Sequence, residues 1–234
     1  MVTERGVHAG TVTIGIDAIA KLVGDSVPAR RRALVAVDGV DGSGKTTFAD
    51  ALAQRFEHRP VVLIHADDFL NPASIRHRRG RSSPQGFWLD SYDYEALAKE
   101  VLRPLGNNGN GRYRTQSPEA AITVERRKFL QAADDSLVIV EGLFLHRDGL
   151  VDAWDYSVFL DVPFRETARR MAERDGSDPD PDHESMRRYM DGQRLYFAAA
   201  RPWERASIVV ENSHPDRPRV IAPESTSASR NGAR

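Results

Sequence analysis

The segment Gly39-Val40-Asp41-Gly42-Ser43-Gly44-Lys45-Thr46 limits the folds open to this chain more than any other feature. The pattern Gly-x4-Gly-Lys-Thr needs glycines because backbone amides must come close to phosphate oxygens, in conformations that a Cβ would oppose. Lys45 can then reach the β- and γ-phosphates, Thr46 can place its hydroxyl on Mg²⁺, and the next helix turns its positive end to the anion. The mechanism requires a strand before the loop and a helix after it, and the sequence supplies both. Ala33-Leu34-Val35-Ala36-Val37-Asp38 is a short apolar run that reads as a buried parallel strand. From Thr46 to Phe56, the residues Phe48, Leu52 and Phe56 recur at helical spacing. Gly39, Asp41, Gly42, Ser43, Gly44, Lys45, Thr46 and Thr47 are therefore the candidate ATP-binding set. The loop alone does not separate a kinase from a GTPase or an ATPase motor.

The rest of the chain repeats the alternation. Val61-Val62-Leu63-Ile64 predicts a strand that delivers His65-Ala66-Asp67-Asp68 to its carboxyl end, and Leu137-Val138-Ile139-Val140 delivers Glu141-Gly142 likewise. Tyr156 to Val162 and Ala206 to Val210 read as two more strands, with a helix from Arg165 to Arg174 between them and another from Ile16 to Val23 ahead of the first strand. This order predicts an α/β fold of the P-loop NTPase type, a doubly wound parallel sheet flanked by helices, with ligands at the carboxyl edge. We expect one domain over 1–212 with its core starting near 33. An insert over about 70–130 would carry a basic loop (Arg76 to Arg81), a helix from about Tyr92 to Leu105 and a glycine-rich turn, as substrate lid or pocket wall. The Ser-, Pro- and Arg-rich stretch 213–234 reads as a disordered tail.

Composition narrows the functional classes. With 33 basic against 34 acidic residues there is no global charge to attract nucleic acid, so phosphate recognition must be local. No apolar run approaches the roughly 20 residues that span a bilayer, and the start lacks the pattern of a secretory signal, which leads us to expect a cytoplasmic chain without a membrane partner. The absence of cysteine removes thiolate metal sites and cysteine nucleophiles, and the seven histidines lack metal-ligand spacing.

A kinase also needs a carboxylate to accept the proton of an acceptor hydroxyl, and Asp67 or Asp68 stands where one would face the phosphates. Glu141 is placed to bind Mg²⁺ directly or through water. Arg170 and Arg174 precede the stretch Gly176 to Pro181, which reads as a mobile loop, and can close over the triphosphate.

Gly39 to Thr47, His65-Ala66-Asp67-Asp68-Phe69, Tyr92-Asp93 and Val140-Glu141-Gly142 together resemble the uridine kinase and nicotinamide riboside kinase branch of P-loop kinases, from roughly Ala33 to Asn212. The resemblance implies Asp67 rather than Asp68 as catalytic base, with Lys45, Arg170 and Arg174 stabilising charge. It implies that Tyr92 stacks on a base and that Asp93 accepts from ribose hydroxyls, with Asp90 a weaker competitor. Phe69, Phe87 and Trp88 are candidate pocket walls. The implied reaction is ATP- and Mg²⁺-dependent phosphorylation of the 5′-hydroxyl of a small-molecule acceptor, a ribonucleoside such as uridine, with nicotinamide riboside or pantothenate as alternatives. Tyr113-Arg114-Thr115 stands where uridine kinases carry Pro-x-Tyr-Asp, so the base is left open. A nucleotide sensor without turnover is the reading from a different class, and a GTPase is disfavoured because no Asn-Lys-x-Asp run is present. A homo-oligomer is compatible with the sequence.

Overall fold

The computed structural model describes residues 15–116 and 128–231. The strands, in chain order, are β1 (Ala33–Gly39), β2 (Val61–His65), the short β3 (Arg112–Tyr113) and β4 (Leu130–Gln131), β5 (Leu137–Gly142), β6 (Tyr156–Asp161), β7 (Ile208–Glu211) and β8 (Arg219–Ile221). The helices are α1 (Ile16–Ser26), α2 (Lys45–Ala53), α3 (Ala73–Arg76), α4 (Pro84–Asp90), α5 (Tyr94–Leu97), α6 (Arg103–Leu105), α7 (Phe164–Asp175), α8 (Arg187–Ala200), α9 (Pro202–Arg205) and α10 (Ser227–Asn231).

The main sheet runs β2-β5-β1-β6-β7-β8, parallel except for β8, while β3 and β4 pair antiparallel by themselves. The sheet is therefore doubly wound with one antiparallel edge. β1, β5 and β6 are buried along their whole length, as their unbroken apolar runs require. Alternate side chains divide between the two faces. Ala33, Val35, Val37, Leu137 and Ile139 pack against Ile19, Val23, Phe48 and Leu52 of α1 and α2. Leu34, Ala36, Val138 and Val140 pack against Leu97, Val101 and Leu105 on the other side. A third apolar cluster brings Phe87, Tyr92 and Phe144 against Tyr196 and Phe197 of α8. Among the described residues, no helix is long and apolar enough to cross a membrane.

Two expectations are corrected. The stretch 213–231, expected as part of a disordered tail, is structured. β8 pairs with β7 in the register Val209↔Ile221, and Arg219 reaches Glu211 at 3.0 Å. The buried Asp161 carboxylate then accepts from the Ser227 amide and hydroxyl at 2.8 Å and the Ala228 amide at 3.1 Å, docking α10. A polar composition concealed these short elements because their anchorage is hydrogen bonding more than apolar burial. The insert helix begins at Tyr94 and not Tyr92, with Asp93 as N-cap accepting from the Ala96 amide at 2.8 Å. It passes through a π-helical turn over Ala98–Leu102 before α6.

Candidate active site

The phosphate loop leaves β1 and enters α2. Gly42 and Gly44 sit at φ 75° and 86°, and a Cβ on Gly42 would come within 2.7 Å of the Thr167 carbonyl, so both positions need glycine. Three distant segments brace the loop. The Asp41 amide donates to Gln193 Oε1 of α8 at 2.7 Å, and Asn212, just past β7, donates from Nδ2 to the Ser43 carbonyl at 2.9 Å. Arg170 of α7 donates to the Gly42 and Ser43 carbonyls at 3.4 and 3.3 Å and to those of Asn212 and Ser213 at 3.0 and 2.8 Å. Its Nε bonds Glu166 at 2.9 Å. Hydrogen bonds from Arg169 and then Arg170 outweigh burial and hold the Glu166 carboxyl at about 2.

Lys45 folds back so that Nζ donates to the Val40 carbonyl at 2.9 Å. Thr46 Oγ1 donates to Glu141 Oε1 at 3.2 Å, and the same oxygen meets His65 Nδ1 at 2.8 Å. Glu141, at the end of β5, is almost fully buried. A threonine hydroxyl paired with a carboxylate is an oxygen donor set that suits a hard divalent cation, so these residues fit Mg²⁺. Arg174 is 57% exposed and, among the described residues, pairs with Asp175 at 2.8 Å and Asp41 at 3.5 Å.

A cleft of about 510 Å³ opens over the loop, and Lys45, Thr46, Thr47, Glu141, Arg170 and Arg174 line it on the phosphate side. Asp67, Tyr92, Phe87 and Leu143 line its other wall. Asp67 is exposed to it from a 3-10 turn after β2. Backbone pairing explains how Asp67 meets Tyr92: Leu70 and Tyr92 form an antiparallel bridge, and the Asp93 amide donates to the Phe69 carbonyl at 2.8 Å. The Tyr92 hydroxyl then donates to Asp67 Oδ1 at 2.8 Å. Burial first, and then the Asp67 charge, push the Tyr92 phenol well above its ordinary range, so it stays a donor.

Several expected site residues have other duties. Phe69 is not a pocket wall: it is 0% exposed and packs in the core with Leu97 and Val101. Tyr92 touches the cleft but is 7% exposed and packed among Tyr94 and Phe144, so its ring is not an open stacking face. Asp93 spends one carboxylate oxygen on the α5 cap and does not line the cleft. Asp68 accepts from Gln116 at 3.1 Å. Asp90 is buried against Arg78 and Arg79, whose hydrogen bonds, that from Arg78 foremost, lower its pKa. The basic loop is thus structural in part, and Arg188 secures it further through the carbonyls of Arg76, Gly80, Arg81 and Ser83. Of the aromatic candidates, Phe87 does line the cleft, whereas Trp88 packs on Phe144 and Tyr196. Gln193, Asn212 and Arg188 were not foreseen. The spacing of Met190, Gln193, Phe197 and Ala200 carried a helical signal that could have found the first.

A family model described as an AAA domain matches residues 35–191. A pantothenate kinase of Serratia proteamaculans is 31% identical over 54% of this chain and 45% of its own length. Nicotinamide riboside kinase 1 of Mus musculus is 29% identical over 64% of this chain and 71% of its own. Uridine-cytidine kinase B of Dictyostelium discoideum is 25% identical over 61% and 58%. This chain therefore spans under half of the first of these relatives and more than half of the other two. A solved structure titled a possible uridine kinase from Bacillus stearothermophilus superimposes with a TM-score of 0.61 at 22% identity, covering 83% of this chain and 96% of that one. That likeness bears on the fold.

Proposed function

Because the chain belongs to the family described as an AAA domain, and within it to the P-loop kinases of the uridine kinase-like branch, we propose that it transfers the γ-phosphoryl of ATP to the 5′-hydroxyl of a ribonucleoside. The observation that carries this reading is Asp67, a carboxylate open to the same cleft as Lys45 and held there by the Tyr92 hydroxyl. A nucleotide sensor without turnover has no need of a base in that position.

With Oδ1 occupied by Tyr92, Oδ2 of Asp67 is left to accept the proton of the attacking hydroxyl. The acceptor oxygen bonds to the γ-phosphorus as the bond to the bridging oxygen of ADP breaks. Charge that gathers on the transferred group and the leaving oxygen is met by Lys45 and by the exposed guanidinium of Arg174. Arg170 acts on the same step by keeping the loop carbonyls turned away from the phosphates. Thr46 and Glu141 would hold Mg²⁺, which when bound neutralises charge on the β- and γ-phosphates. A role for Asp93 towards a ribose diol requires its side chain to turn into the cleft with the second carboxylate oxygen, since the cap engages only the first.

Asp67→Asn keeps the hydrogen bond from Tyr92 but cannot accept a proton. We expect kcat to fall about 10²- to 10⁴-fold with the Kd for ATP kept. Unchanged turnover would remove the assigned base. ADP release measured over uridine, cytidine, nicotinamide riboside and pantothenate assigns the acceptor, and stimulation by none of them would favour the sensor.

A further inference from the structure

Immediately before the phosphate loop stands a charged residue that the reaction does not use. Asp38, the penultimate residue of β1, is 0% exposed, as is His146, and Tyr196 is 2% exposed. Asp38 Oδ2 accepts from the His146 amide at 3.1 Å, from His146 Nδ1 at 2.7 Å and from the Tyr196 hydroxyl. Its Oδ1 accepts from the amide of Gly39, the first residue of the loop, at 2.7 Å. No cation accompanies the carboxylate in this cluster, so its burial is compensated by these donors alone. Among the described residues, His146 Nε2 is buried without a partner. The ring therefore meets the carboxylate through Nδ1 alone. Burial, and after it the Asp38 charge, raise the Tyr196 phenol well above its ordinary range, so it too remains a donor.

The three residues come from β1, the segment after β5, and α8. The backbone at Gly39 is closely packed, since a Cβ there would meet Ser43 Oγ at 2.7 Å and Leu160 at 3.0 Å. α8 therefore holds the loop twice, at Asp41 through Gln193 and at Gly39 through Tyr196 and Asp38. The Tyr196 ring packs against Phe144 at 5.0 Å and Trp88 at 5.1 Å between centroids, which restrains where its hydroxyl points.

We propose that Asp38, His146 and Tyr196 are positioning residues that hold the phosphate loop in its anion-receiving arrangement before nucleotide arrives, so that binding energy is not spent on ordering it. The proposal rests on the loop's being the ATP site, and its test contains no acceptor. ATP affinity is measured by isothermal titration, below the Tm of every variant. Tyr196→Phe keeps the ring and its packing and removes one donor to a buried carboxylate; we expect the Kd for ATP to rise about fivefold or more. His146→Leu should do the same. His146→Asn returns an N–H near the position of Nδ1 and should bring the Kd back to within about twofold of the wild type, a rescue that a purely structural role would not produce in affinity. The pair at position 146 carries the test if Tyr196→Phe does not fold. Wild-type affinity in Tyr196→Phe and His146→Leu, even with lowered Tm, would overturn the proposal. Loss of affinity in His146→Asn equal to that in His146→Leu would overturn it as well. A wild-type chain that binds no ATP would overturn this proposal and the proposed function together, whereas an acceptor screen without a hit would leave the titration intact.

Discussion

The phosphate wall of the cleft and its acceptor wall spend their polar groups differently. On the phosphate wall, side chains from α7, α8 and the segment after β7 bind the loop's backbone: Arg170 and Asn212 take carbonyls and Gln193 takes an amide. On the acceptor wall, Asp67 is already engaged by Tyr92, and outside the cleft lining Asp93 is engaged by the α5 cap and Asp90 by Arg78 and Arg79. The first arrangement leaves the loop preorganised for a triphosphate. In the second, an acceptor must take the spare oxygens or displace partners. On the proposed function, donor recognition is built into the resting fold, and acceptor recognition is an exchange of hydrogen bonds.

Lys45→Ala attacks the donor wall most directly. Removal of a charge that faces the transferred group should lower kcat/KM by about 10²- to 10³-fold or more in the ADP-release assay. Full activity would break the comparison at its root. Arg170→Ala removes a donor from four carbonyls, of which that of Ser43 keeps Asn212, and should weaken ATP binding by about tenfold or more. Arg170→Lys should not restore affinity, because one ammonium cannot span that set. If Arg174→Ala costs more ATP affinity than Arg170→Ala, the brace belongs to the exposed arginine instead.

Asp93 separates the two walls more finely. Asp93→Ala removes the cap and should lower stability by about 0.5–2 kcal/mol, read as Tm. Asp93→Asn keeps a good cap, so Tm should stay near the wild type while KM for the acceptor rises about tenfold if the free oxygen receives a diol. An unchanged KM would reduce Asp93 to a cap. Tyr92→Phe should shift kcat by less than about tenfold, since it frees one Asp67 oxygen without removing the base.

Legibility in the sequence divides along the same line. The loop was legible because its chemistry needs contiguous residues in fixed order, and β1 and α2 flank it as that order demands. Asp67 and Glu141 were legible because parallel strands deliver the residues at their carboxyl ends to one edge of the sheet. Asp93 and Phe69 misled because an aspartate before a helix and a phenylalanine after a strand are as well suited to a cap and a core as to a pocket. α8 escaped notice because the buried Gly192 and Gln193 make its inward face less apolar than its spacing is regular, although Gly192 is required where a Cβ would approach Phe87 to 2.7 Å. The contact between Asp38 and His146 joins positions 108 residues apart, and no local pattern announces such a pair.

The smallest expected effect concerns the salt bridge behind Arg170. Glu166 titrates near 2 in the fold against 4.5 for an unperturbed glutamate, because Arg169 and Arg170 bind its charged form. A carboxyl with a depressed folded pKa stabilises the fold above its unfolded pKa, and that contribution is lost as pH falls from about 4.5 through about 2. Other carboxylates titrate in the same window, so the informative quantity is the difference between the wild type and Glu166→Gln in chemical denaturation at each pH. That difference should be constant above about pH 5 and shrink steadily below it. A difference independent of pH down to 2 would mean that Arg170 is held by the loop carbonyls alone, and the donor wall would then owe its order to backbone contacts rather than to charge.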